Sequence, residues 1–205
     1  VIGIPHFPTA SDYSVNIIMT EKPQVVCMEM HQENLKKMIQ VMKKPERTPE
    51  EEKWLKLGAG DGLVAIVESS WEVGADIYGL EPKKGYDIYE SDYKKGLEGK
   101  FWKFLEKYWS RFHYRLFNKK AEKKPKIIQT AFWAPKLEAV RRWIWKHECF
   151  PAYKRVSLER EEAYAIKLVE FERERGEKAK IFFFVGYGHK WNTLKEVALI
   201  RNKKY

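Results

Sequence analysis

The chain has 205 residues, of which 44% are hydrophobic and 33% charged, with a formal net charge of +10. That length suits one domain or one domain with a sizeable insertion, and the apolar content excludes a disordered chain. Two cysteines with no C-x-x-C spacing argue against a disulfide scaffold or a thiolate zinc site, and no apolar run approaches the ~18 residues that span a bilayer.

Taken in order, Val1 to Ile4 reads as a buried strand, and Gly3-Ile4-Pro5-His6 closes it. Ser11 or Asp12 is a candidate cap for a helix with Val15, Ile18 and Met19 on its apolar face, and Lys22-Pro23 ends that helix. Gln24 to Met28 is a second buried strand, followed at once by Glu29, so the opening reads as a βαβ unit of parallel strands. Gln32 to Met42 is helical, and Thr48-Pro49-Glu50-Glu51 starts another helix with Thr48 as cap and Pro49 first. The glycine-rich turn Gly58-Ala59-Gly60-Asp61-Gly62 leads into an apolar helix over Leu63 to Val73. No Lys-Ser/Thr pair follows it, which argues against a P-loop. Ala75 to Leu80 is a third strand, with Glu81 at its end.

From Lys100 to Lys126 there are ten Lys or Arg against two acids, Glu106 and Glu122. Phe101, Leu105, Trp109, Phe112 and Leu116 trace one helical face there, and Lys103, Lys107, Arg111 and Arg115 trace another. This basic, aromatic region is read as a helical insertion over residues 85–150. It is either a core face with a solvated charged side or a surface for nucleic acid, an anionic membrane or an acidic peptide. Leu158 to Arg175 then forms a long charged helix with Ser157 as cap. Leu158, Ala165, Leu168 and Val169 are its expected buried positions, and Gly176 is its end. Ile181 to Val185 is a last strand, closed by Gly186-Tyr187-Gly188-His189, and a short helix over Leu194 to Ile200 finishes the chain. The expectation is an α/β fold: a central mixed, mainly parallel sheet flanked by helices, in one domain over 1–205. With no signal peptide before the first strand, the expected compartment is cytoplasmic. The Lys- and Glu-rich charge resembles thermophile usage.

Histidines and acids at strand ends carry the chemistry. In an open α/β sheet, ligands bind outside the carboxyl ends of the strands, which is where His6, Glu29, Glu81 and His189 fall. Imidazoles with carboxylates suit Mn, Co, Zn or Fe, and such an ion polarises a carbonyl and acidifies a bound water. The expected ligands are His6, Glu29 and His189, with Glu81 or Asp61 left outside the ligand set as general base. The bland alternative is that Glu29 caps a helix and each histidine bonds to backbone. His31, His113 and His147 are isolated and read as surface or packing residues.

The run Val1-Ile2-Gly3-Ile4-Pro5-His6, with Ser11 and Val15 and then Pro23 to Glu29, resembles the opening of the TraB/PrgY/Tiki superfamily, related to ChaN-like and erythromycin-esterase-like proteins. Gly74 to Leu80 resembles its third strand, and Leu158-Glu159-Arg160-Glu161 its Glu-Arg-Asp helix. Phe184 to His189 resembles its second Gly-x-x-His. Asn34 stands where the family usually has arginine, and Glu81-Pro82 where it has Asp-Arg. The resemblance implies a metal-dependent hydrolase, most simply a peptidase, with His6, Glu29 and His189 in the metal or catalytic role. Arg160 would then orient a carboxylate or bind an anionic intermediate. The competing expectation is a non-catalytic regulatory protein that binds peptide or nucleic acid through the 85–150 insertion.

Overall fold

The computed structural model describes residues 1–4, 9–56, 61–82, 151–176 and 178–203. Strands arise where β-branched and aromatic residues run together: β1 (Ile2–Ile4), β2 (Val25–Met28), β3 (Asp76–Gly79) and β4 (Ile181–Gly186). Around them lie α1 (Thr9–Glu21), α2 (Gln32–Met42), α3 (Pro49–Trp54), α4 (Asp61–Glu72), α5 (Pro151–Arg175) and α6 (Tyr187–Asn202). The fold is α/β, with strand order β1-β4-β2-β3. Every pairing among the described strands is parallel, where the sequence reading had allowed a mixed sheet.

Alternation along the strands sends side chains to two faces. Val26, Met28 and Phe184 pack with Ile18 of α1, Leu35 and Met38 of α2, and Ile66 and Val67 of α4. Val25, Cys27, Phe183 and Val185 pack on the other face with Tyr164, Leu168 and Val169 of α5 and Val197 of α6. Because both faces are covered, β2 is apolar at every position, and each fully buried side chain of this kind stabilises the fold by roughly 1.5–3 kcal/mol.

Helix ends follow local chemistry. Thr48 caps α3: its hydroxyl accepts from the Glu51 N–H at 3.2 Å, and the Glu51 carboxylate accepts from the Thr48 N–H at 3.1 Å. α1 starts at Thr9, so Ser11 and Asp12 fall inside its first turn instead of capping it. Lys22 ends α1 with φ 46°, its N–H bonded to the Ile18 carbonyl at 2.9 Å. α5 begins at Pro151, which places the expected cap Ser157 inside the helix, buried. Leu158, expected to be buried, is exposed; the inward stripe is Ser157, Glu161, Tyr164, Ala165, Leu168 and Val169. α6 begins at Tyr187 with Gly186 as its N-cap, so the second histidine motif is a strand-to-helix elbow and its helix is longer than expected.

The β1–α1–β2 connection passes over one strand position, and β4 inserts there. Leaving β2, the chain turns to α2 on one face; leaving β4, it turns to α6 on the other. The carboxyl ends of these two neighbouring strands therefore flank the crevice that open α/β sheets use for ligands.

Candidate functional site

Glu29 is the first residue past β2, and its N–H extends the ladder to the Phe184 carbonyl at 3.1 Å. The segment past β3 is tied down beside it: the Leu80 N–H donates to Met28 O at 3.0 Å, and the Glu81 N–H to Met30 O at 3.1 Å. The Gln32 amide oxygen accepts from the Gly79 N–H at 2.6 Å. Glycine is required there because a Cβ would stand 2.4 Å from Met30 O and 2.9 Å from Gln32 N, both backbone atoms. These bonds bring Glu81 alongside Glu29.

Helix α5 closes the cluster. Arg160 Nη2 donates to Glu29 Oε1 and, at 2.7 Å, to Glu81 Oε2. One turn on, the Tyr164 hydroxyl donates to Glu81 Oε2 and accepts from Arg160 Nε at 3.2 Å. The Tyr164 ring is buried edge-on against Phe183, with centroids 5.0 Å apart. Burial works against the Arg160 charge, but the facing Tyr164 oxygen and the Glu29 and Glu81 carboxylates outweigh it and hold its pKa above the ordinary guanidinium value. Burial first, then the carboxylate of Glu29, pushes the Tyr164 phenol well up, so its proton stays and it acts as a donor.

The other Glu29 oxygen accepts from the Gly186 N–H at 2.6 Å, at the elbow that launches α6. His189, in the first turn of α6, points Nε2 toward Glu29 Oε1 at 3.7 Å. Its Nδ1 lies 2.7 Å from Glu161 Oε1, and Asn192 Nδ2 donates to the second Glu161 oxygen at 3.0 Å. The Thr193 hydroxyl donates to the His189 carbonyl at 2.9 Å, which fixes the turn that carries the ring.

Of the residues expected from sequence, the structure brings Glu29, Glu81, Arg160 and His189 together. His6 lies outside the described residues, as do the basic segment 100–126 and the insertion 85–150. Asp61 opens α4, and its side chain is outside the described set. Arg160 donates to two carboxylates, those of Glu29 and Glu81. Glu81 Oε2 accepts from both Arg160 and Tyr164. Sequence reasoning gave no role at the site to Tyr164, Glu161 or Asn192; Asn192 was read only, with Thr193, as a candidate start of the last helix, which in fact begins at Tyr187. One signal was available: Glu161 falls in phase with Ala165 and Leu168, a charge in the middle of an apolar stripe. Cys27 is a buried thiol, and burial pushes its pKa far up. No described helix is long and apolar enough to cross a membrane.

No protein-family model, curated protein or solved structure matches the chain, so the TraB/PrgY/Tiki resemblance rests on its motifs alone.

The fit to a metal is partial. Among the described residues no group of three or more His, Cys, Asp or Glu could hold an ion. His189 Nε2 and Glu29 supply two facing donors, one short of the three protein ligands of a catalytic zinc site. His6, the third ligand expected from the sequence, lies outside the described residues. Glu29 is also already engaged by Arg160 and the Gly186 N–H.

Proposed function

We propose that the chain is a hydrolase acting on peptides, with its reaction centre in the crevice between the carboxyl ends of β2 and β4. The single observation that carries this reading is the approach of His189 Nε2 to a carboxylate, Glu29, that Arg160 and the Gly186 N–H hold in place. A bare imidazole nitrogen directed into such a crevice is suited to taking a proton from water or to ligating an ion. The roles then follow the contacts. His189 is the proton acceptor or ligand, and Glu29 faces the same point and shares in binding. Arg160 sets the position of Glu29, and Glu81 with Tyr164 sets the position of Arg160. A divalent ion of the Mn, Co, Zn or Fe class, held by His6, Glu29 and His189, would supply carbonyl polarisation and an acidified water.

The test is hydrolysis of fluorescence-quenched casein by the purified chain, without added metal and with each of the four ions, alongside elemental analysis. The expected result is turnover that His189→Ala abolishes while the urea unfolding midpoint stays near that of the parent. Turnover indifferent to His189→Ala, or none with any of the four ions, would sink the reading. In the second case the basic insertion becomes the part to assay, by its binding to anionic ligands at low salt.

A further inference from the structure

Glu161 has no exposed surface, sits in an apolar helix stripe and plays no part in the hydrolase reading above. Burying a carboxylate is costly unless its oxygens are bonded, and a leucine would fill the same stripe at no such cost. Both oxygens are in fact bonded, and the partner of one is the histidine of the crevice.

We propose that Glu161 is a positioning residue that locks His189 in the tautomer with its proton on Nδ1 and its lone pair on Nε2, facing Glu29. An ionised carboxylate only accepts hydrogen bonds, so with Glu161 ionised the nitrogen 2.7 Å from its Oε1 is the one that carries hydrogen. A neutral imidazole has one N–H, which leaves Nε2 bare on the side of Glu29, 3.7 Å away. Free histidine favours the opposite tautomer, so a crevice that needs a bare Nε2 needs a device of this kind. Asn192 keeps that device in register. By occupying Glu161 Oε2 at 3.0 Å, it fixes the carboxylate plane and leaves Oε1 for the ring. The Thr193 hydroxyl donates to the His189 carbonyl and so steadies the backbone that carries the ring. The lock is a local matter of hydrogen bonding; only its consequence for rate rests on the hydrolase reading.

The experiment is a long-range proton–nitrogen correlation spectrum of the whole chain labelled with ¹⁵N-histidine. It is recorded at about pH 8.5, roughly two units above an ordinary imidazole pKa, with His189 assigned by its loss in His189→Gln. The expected spectrum has a protonated-type Nδ1 and an unprotonated-type Nε2 at His189; a protonated Nε2 overturns the proposal. In Glu161→Gln a single carbonyl faces two donors, the ring N–H and Asn192. The expected result there is a shift of His189 toward the Nε2–H tautomer, with casein hydrolysis down roughly tenfold to a hundredfold. A folded Glu161→Gln variant that keeps the parent tautomer also overturns the lock. If that variant does not fold, the parent spectrum alone decides. The Nδ1–H tautomer in a chain that hydrolyses nothing upholds the lock and removes the hydrolase reading, whereas hydrolysis with a protonated Nε2 removes the lock and spares the hydrolase.

Discussion

Helix α5 carries an arginine near each end of its described inward face, and both reach acids that border β3. Arg175 meets Asp76, the first residue of the strand; Arg160 meets Glu81, just past the last. The side chains of the first pair are 41% and 51% exposed, those of the second 21% and 8%. The same chemistry is therefore a solvated surface contact at the amino edge of the sheet and a desolvated, shared junction at the carboxyl edge. The difference teaches where the molecule has committed itself. Water at the amino edge can replace either partner, whereas at the carboxyl edge Arg160 also holds Glu29, and Tyr164 holds both Arg160 and Glu81.

The sharpest way to break this contrast is Arg160→Met, which leaves two largely buried carboxylates without their cation. The expected loss of stability by urea unfolding is about 3–5 kcal/mol. A loss no larger than at Arg175 would mean that the carboxyl edge is as wet as the amino edge. Gly79→Ala tests the same edge through its backbone. The new methyl must displace Met30 O and Gln32 N, at an expected cost of about 1–3 kcal/mol on the same unfolding curve. Tyr164→Phe removes one donor from Glu81 and leaves Arg160 in place, so its loss at neutral pH should fall at the lower end of ~1–3 kcal/mol.

Tyr164 also carries a pH signature. Its folded pKa is raised, so the stabilisation it gives is whole below about pH 10, where an unfolded tyrosine ionises, and is lost as pH climbs above that. Unfolding free energies of Tyr164→Phe should accordingly decline less steeply above pH 10 than those of the parent; parallel curves would show the phenol to be open to solvent. A gentler probe is Cys27, two residues before Glu29 in β2. Burial holds its thiol far above the usual range, so iodoacetamide at pH 8 should leave it unlabelled by mass spectrometry until urea opens the sheet. Labelling in the native state would show that β2 opens near the junction. Arg175→Ala should do least, leaving the unfolding midpoint unmoved.

Much of the fold was legible because its signals are local. Short, β-branched and aromatic apolar runs at Val25 to Met28 and Ile181 to Val185 read as strands covered on both faces, and Thr48-Pro49 with Glu51 spells a helix start in three side chains. The gathering of Glu29, Glu81 and His189 was legible for a related reason: in a parallel sheet all carboxyl ends share one edge, whatever the strand order. The order itself was not legible. Nothing in the residues of β1 or β2 says that β4, arriving at the far end of the chain, will separate them. Nor was the helix reading of Gly186 to His189 available. A glycine after a strand signals a turn, and only the Gly186 bond to Glu29, formed across the sheet, shows the elbow it makes. Glu161 went unassigned because His189 and Asn192, which its oxygens meet, lie on another helix, where spacing within α5 cannot point.

The place of β4 has a consequence for when the crevice comes into being. Among the described strands β1 touches only β4, and Ile2 pairs with Phe184 across nearly the whole chain. During synthesis β2 and β3 can align early, but β1 has no strand to pair with until the segment 181–186 has emerged and entered between β1 and β2. Every contact of His189 with Glu29 waits on that insertion, which is a slow kind of step because its closing loops are long. A chain halted before residue 181 thus carries the acids without the histidine that faces them, and the crevice is completed only when β4, the latest of the described strands, is in place.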